Sequence, residues 1–235
     1  MQRSLLTILL GSGLSAVSLC AQVVQPFPLV CGAPFQADSA ITINDSKGVN
    51  HAVGRVARNS VGSIYQEVVR ANTGKVIEVL IYDIPGKRLI KLESQKKMYV
   101  IEEVPDLKAN AVDPASLARQ MKEAEDRKLA QTGEPIDPTT PQSLGTRNIE
   151  GILTVGYRTT ITGHIDGKAV PAVRERWYSP ELQIDLLSRT VSDEQQTETV
   201  LTRIQRGEPD ESLFLIPADY VQYPMNRKSG GQPSP

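Results

Sequence analysis

The sequence is short of the residues that announce chemistry. Histidines occur only at His51 and His164, and cysteines only at Cys20 and Cys31, in 235 residues. Neither HExxH nor CxxC can be written from them, so the usual transition-metal spacings are excluded. His164 and Asp166 could meet at one turn, yet an Asp-Gly turn needs no ligand to form. The sequence therefore assigns no metal and no cofactor.

Nucleophile signatures are missing as well. No serine sits in GxSxG, and a triad of His164, Ser179 and Asp185 can be assembled on paper without any spacing that makes it specific. Glu102-Glu103 and Asp193-Glu194 are adjacent pairs, which point apart in a strand or into solvent at a turn, unlike the facing carboxylates of a glycosidase. GVNHAVGRVARNSVGSIY has recurrent glycines but neither GxGxxG nor the Lys-Ser/Thr of a phosphate loop, and Arg55 and Arg58 alone are a weak anion signal. No catalytic residue is assigned.

Charge excess is also lacking. Lys and Arg number 26 against 27 Asp and Glu, a net charge of -1, which gives no reason to expect nucleic acid or an anionic membrane as partner. Basic and aromatic residues are not interleaved as single-strand binding requires.

Long apolar runs are absent except at the start. MQRSLLTILLGSGLSAVSLCAQ places Arg3 before an apolar stretch from Leu5 to Leu19, the order of a secretory signal peptide over residues 1–21. The stretch falls short of the roughly 20 apolar residues of a spanning helix, so the mature chain is expected in the periplasm or secreted, with no transmembrane segment. VSLC matches a lipobox weakly because Leu19 stands where a small residue is usual, which weighs against a lipid anchor on Cys20. With Cys20 removed, Cys31 has no partner for an internal disulfide.

What is present is strand and turn punctuation. Residues 22–40 read as an extended N-terminal segment, residues 41–223 as a single mainly antiparallel β domain, and residues 224–235 as a disordered tail. IYQEVVR and KVIEVLIYD flank Asn72-Thr73-Gly74, with Ile77, Val79 and Ile81 expected on one face by the period of two. Asp83-Ile84-Pro85-Gly86 is a turn before RLIKLE, and KKMYVIEE follows. Later, SLGTRNIEGILTVGYRTTITG runs to a turn at Ile165-Asp166-Gly167-Lys168, AVPAVRERWYS returns, and LQIDLLSRT and TETVLTRIQRG flank a polar SDEQQ turn. Ile184, Leu186 and Ser188 are expected on one face, Val200, Thr202 and Ile204 on another. EPDESLFLIPADY reads as a short helical turn or extended closure burying Phe214 and Ile216.

One segment breaks the rhythm. DPASLARQMKEAEDRKLAQTG offers Asp113 as N-cap, Pro114 at the first helical position, and Leu117, Met121 and Ala124 on one narrow face among charges. The expected fold is mainly β, within the α+β class: a strongly curved antiparallel sheet or partly open barrel, with one amphipathic helix near 114–131 packed on or across it. WYSPE reads as a strand end followed by a turn with Pro180 at its second position. Trp177, Tyr157 and Tyr178 are the candidate ligand-binding residues, with Trp177 either anchoring one edge of the core or facing a ligand.

Leu144-Gly145, Ile149-Glu150-Gly151, Gly156, Trp177-Tyr178-Ser179 and Pro217-Ala218-Asp219-Tyr220, within phrases covering most of residues 143–220, resemble an uncharacterised family of exported bacterial proteins abundant in acidobacteria. More distantly the layout is similar to periplasmic lipoprotein-carrier and outer-membrane lipoprotein-sensor folds. That resemblance implies a curved sheet closing over helices around an apolar cavity, and a lipid or lipoprotein ligand. It carries over no catalytic residue.

The function expected is a noncatalytic envelope protein that binds an apolar ligand or another envelope protein. The alternatives are an extracytoplasmic hydrolase with noncontiguous catalytic residues and His164 as general base, and a structural β module of an envelope assembly.

Overall fold

The computed structural model describes residues 29–111, 141–165 and 168–223, excepting the side chains of 163–165 and 168–169. The expected helix near 114–131, the leader and the tail from 224 lie outside the described residues. Among those described there is no α-helix.

The strands are β1 (Val30–Cys31), β2 (Phe35–Asp45), β3 (Gly48–Arg58), β4 (Ile64–Arg70), β5 (Lys75–Asp83), β6 (Arg88–Glu93), β7 (Met98–Glu103), β8 (Asn110–Ala111), β9 (Gln142–Ile149), β10 (Ile152–Ile165), β11 (Lys168–Ser179), β12 (Ile184–Ser192), β13 (Gln195–Arg206) and β14 (Val221–Gln222), with a 3-10 turn at Glu211–Phe214. Twelve of them form one sheet in the order β14-β7-β6-β5-β4-β3-β2-β13-β12-β11-β10-β9. β1 and β8 form a separate parallel pair. The sheet is open and mixed: β14 joins β7 in parallel, and the other neighbours are antiparallel.

Two meanders, β2 to β7 and β9 to β13, meet where β13 pairs with β2. The hairpin turns follow local chemistry. At Asn72-Thr73-Gly74 the Gly74 amide donates to the Arg70 carbonyl at 2.9 Å, and the Gly86 amide donates to Asp83 Oδ1 at 3.0 Å. Between β9 and β10, Glu150 and Gly151 both take positive φ, 52° and 74°, the two-residue turn whose twist suits a hairpin. β2 begins at Phe35, inside the segment read as extended from 22 to 40, and Phe35 is only 1% exposed.

The sheet is strongly curled. The Glu150 carboxylate, at the β9–β10 turn, accepts from the Arg203 amide of β13 at 3.1 Å. In the sheet order β13 and β10 are three positions apart, on the order of 14 Å if flat. Arg58 on β3 likewise reaches the Leu182 carbonyl in the β11–β12 turn. Only a curved sheet brings these together.

Three apolar clusters hold it. One joins Phe35, Val56 and Ile64 with Ile152, Ile184, Leu186 and Leu201. A second, of Tyr65, Val79, Ile81, Ile90 and Leu92, is covered by Leu213, Phe214, Ile216 and Tyr220 of the C-terminal strap. The third contains Ile41, Ile43, Ala52 and Val68.

Bulges revise two sequence expectations, and the position of the C-terminal strap a third. Val68 pairs with Glu78 and Val69 with Val76, leaving Ile77 as an extra residue. Ile77 therefore packs with the third cluster, while Val79 and Ile81 join the second. On β13 the register slips between Thr202 and Gln205, where Arg203 takes φ 51°. Leu201 and Ile204, three residues apart, consequently share one cluster, in place of the expected Val200, Thr202 and Ile204 face. Phe214 and Ile216 are half-buried, because the strap lies on the sheet's surface and not within it.

Candidate functional site: an apolar row across the sheet

Directly paired strand residues share a face. Tracing such pairs from β5 to β9 gives Val76, Val69, Val53, Ala40, Val200, Leu187, Trp177, Gly156 and Gly145, one residue from each of nine consecutive strands. Every member is apolar. Their sequence neighbours Val68, Ala52, Ile41, Leu201 and Leu186 belong to the first and third clusters, so this row lies on the face opposite those two and shares that of the second, against which Val76 packs. Val53 is 45% exposed, Ala40 is exposed, and Val69, Val200, Leu187 and Trp177 are half-buried.

Charged ladders flank it. Two residues along each strand on one side, His51, Thr42, Glu198, Arg189, Glu175 and Arg158 stand in register. On the other side stand Glu67, Arg55, Asp38 and Thr202. Arg158 Nε donates to Glu175 at 2.8 Å, Arg55 lies 3.7 Å from Glu67, and Arg203 pairs with Asp38. Glu198 forms no ion pair among the described residues.

Trp177 closes one end of the row. A Cβ on Gly156 would lie 2.7 Å from the indole Cζ3, so the ring occupies space that only glycine leaves open. The Arg147 guanidinium covers the ring, 3.8 Å from its centroid.

The other end runs into a groove of about 220 Å³ under the C-terminal strap, with Tyr65, Glu67, Val76, Leu213, Leu215 and Tyr220 among its walls. Tyr65 donates its hydroxyl proton to Glu67. Burial, and then that bond to Glu67, push the Tyr65 phenol well above its ordinary range.

The structure separates the sequence-predicted aromatics. Trp177 opposes Gly156, whereas Tyr178 opposes Val155 and Tyr157 opposes Arg176. Successive strand residues point to opposite faces, so Tyr157 and Tyr178 share the face that Trp177 does not. Tyr178 is half-buried beside a different feature, the fully buried Arg58. Burial raises the Tyr178 pKa first, with Asp185 adding to it and Arg58 and Arg176 opposing. Arg58 donates through Nε and Nη2 to the Ala33 carbonyl at 3.0 and 2.7 Å, and to the Leu182 carbonyl. Its guanidinium lies 5.1 Å from the Phe35 ring centroid, and burial brings its pKa down to about 10. With no exposed surface, Arg58 rivets two turns to the sheet and leaves no room for a ligand.

Ser179 is likewise structural. It is fully buried, and its hydroxyl accepts from the Leu182 amide at 3.0 Å, capping the turn after β11. Asp185 pairs with Arg176 at 2.7 Å. The His164 side chain and Asp166 lie outside the described residues. Among the described residues no three His, Cys, Asp or Glu side chains gather as a metal group, and no helix is long and apolar enough to cross a membrane. Cys31 is a free, half-buried thiol.

Sequence reasoning singled out Trp177 as a candidate and missed the row in which it stands. Each member comes from a different strand, and the pairings that align them carry four register shifts. The available signal was the unusual number of strand valines at polar-phase positions, such as Val53 beside Ala52.

No protein-family model and no curated protein matches the chain. Among solved structures it is similar to an uncharacterized conserved protein from Thermus thermophilus, with 11% identity over 81% of this chain and 89% of that one, TM-score 0.46. It is similar to the MucA/MucB complex of Pseudomonas aeruginosa, with 13% identity over 80% of this chain and 56% of that one, TM-score 0.43. A LolA-superfamily protein from Nitrosomonas europaea matches with 9% identity over 80% of this chain and 91% of that one, TM-score 0.36.

Proposed function

We propose that this chain is a noncatalytic envelope protein whose sheet binds an apolar ligand or another envelope protein. The observation that carries the reading is the apolar row, accessible at Val53 and Ala40 on the face opposite the first and third buried clusters. Contiguous apolar surface open to water is costly, and it is retained where something binds. The signal-peptide pattern of residues 1–21 supports an extracytoplasmic setting. The hydrolase alternative draws no support from Ser179, whose hydroxyl is buried and engaged in its own turn.

The test uses the purified mature chain. Organic extraction and mass spectrometry are expected to find a co-purified lipid, or N-phenylnaphthylamine is expected to bind saturably with energy transfer from Trp177, the sole tryptophan. A chain that carries no lipid and binds neither this probe nor any amphipathic peptide would end the reading.

A further inference from the structure

The groove under the C-terminal strap is held open between two fastenings. At one end the Ser60 amide donates to Glu208 Oε2 at 3.1 Å. At the other, Asp219 pairs with Lys97 at 2.6 Å, and the Val221 amide donates to the Lys97 carbonyl at 2.9 Å. Between them Leu213, Leu215 and Pro217 of the strap face Val76, Val79 and Leu92 of the sheet across the groove. Its volume of about 220 Å³ is below the roughly 300–1,000 Å³ of sites for drug-sized ligands. It therefore takes a short chain.

The polar part of its lining has one sign. Glu67 is its one charged residue among those described, and Tyr65, Tyr220, Ser94 and Ser212 supply neutral hydroxyls. Tyr65, 7% exposed, donates its proton to Glu67 Oε2. Arg55, outside the groove lining, approaches the same oxygen at 3.7 Å, too far for a hydrogen bond. So long and exposed a pair contributes little, and Glu67 Oε1 accepts no hydrogen bond among the described residues. A fatty acid would set its carboxylate beside Glu67 and be repelled. A neutral alkyl group would strip water from Oε1 and return no donor. An ammonium supplies both a proton for that oxygen and the opposite charge, with two tyrosine rings, side chains that attract cations, in the same walls.

Resting on the binding reading above, we infer that the strap groove is a binding site for a small molecule bearing a primary ammonium on a short alkyl chain. The ammonium donates to Glu67 Oε1, and the chain lies between Val76 and Leu92 on the sheet and Leu213 and Leu215 on the strap.

The experiment is titration calorimetry on the full mature chain with n-octylammonium chloride, n-octanol, sodium octanoate and N-acetyl-lysine methylamide. Octylammonium is expected to bind tightest, octanol roughly tenfold more weakly, and octanoate not at all. Glu67→Gln, which keeps an acceptor for the Tyr65 hydroxyl, is expected to bring octylammonium down to the affinity of octanol and to leave octanol unchanged. Leu215→Ser, at a position 60% exposed, is expected to weaken both alkyl ligands roughly threefold or more. Glu102→Gln, exposed on β7 and outside the groove, is expected to change neither. All three variants are expected to keep the wild-type unfolding midpoint; should Glu67→Gln fail to fold, the ranking of ligands on the wild type decides. Octanol or octanoate binding as tightly as octylammonium, or a cation preference that survives Glu67→Gln, overturns the assignment. N-acetyl-lysine methylamide binding as tightly as octylammonium would give the groove to a protein side chain and overturn it as well. If N-phenylnaphthylamine binds and octylammonium does not, the groove fails while the binding reading stands. If the chain binds none of these and carries neither lipid nor amphipathic peptide, both fail.

Discussion

The indole of Trp177 lies directly over Gly156, its cross-strand partner, so closely that a methyl group at 156 would sit 2.7 Å from Cζ3. The Arg147 guanidinium also stacks on the ring, 3.8 Å from its centroid. The residue singled out by the sequence is thus fixed by a neighbouring glycine and capped by a cation.

Gly156→Val is therefore expected to expel the ring. Overpacking of this kind costs about 1–3 kcal/mol, read as a lower urea midpoint. Because Trp177 is the only tryptophan, its emission should shift to the red in the folded variant. An unchanged spectrum would show that the ring is not held against position 156.

Arg58 donates to two carbonyls and has no carboxylate partner among the described residues. Arg58→Ala is expected to cost about 3 kcal/mol or more in denaturant unfolding, through a cavity and buried acceptors left without donors. Arg58→Lys should recover only part of this, since an ammonium cannot reproduce the planar fork that spans Ala33 and Leu182. Equal stability of wild type and alanine variant would refute the rivet.

Ser179→Ala removes the hydroxyl that caps the β11–β12 turn. A loss of about 1 kcal/mol in stability is expected, with peptide and probe binding unchanged. Abolition of a hydrolytic activity by this change, with stability retained, would instead favour the enzyme alternative.

The C-terminal strap carries its own pH window. Asp210 accepts from the Ser212 amide at 2.9 Å and Asp219 pairs with Lys97 at 2.6 Å, and these bonds hold both carboxyls below their ordinary range. Lowered folded-state pKa values mean that this attachment is complete above the ordinary carboxylate pKa, about 4, and is lost as pH falls through the lower folded values. Lys97 is shifted upward by Asp219, so its share is complete below about 10.4 and is lost only at higher pH. Hydrogen exchange corrected for intrinsic rate should show Leu213, Leu215 and Tyr220 protected equally at pH 6 and 8 and losing protection only as pH falls below the ordinary carboxylate range. Asp219→Asn should bring that loss on at neutral pH. Protection in Asp219→Asn equal to that of the wild type at pH 6 would rule out the Asp219 carboxylate as a fastening of the strap.

Much of the strand order could be read from the chain alone. Period-two runs bounded by Asn72-Thr73-Gly74, Asp83-Ile84-Pro85-Gly86 and Ser179-Pro180-Glu181 are local signals, set by φ preferences and by which side chains tolerate a pleated surface. They placed β4 to β7 and β10 to β13 within a few residues.

Which face each residue occupies was decided only in three dimensions. An extra residue at Ile77, at Arg203 or beside Trp177 flips the phase of everything beyond it, and the cost of such a bulge is set by neighbouring strands and not by the local sequence. The union of β2 with β13, whose paired residues are 150 or more apart in the chain, likewise had no local signal. By itself the sequence determined that strands, turns and one tryptophan at a strand end would exist. Tertiary pairing decided that Val53, Ala40, Val200, Leu187 and Trp177 form one row, because only the shared register of five strands puts their side chains on the same side of the sheet.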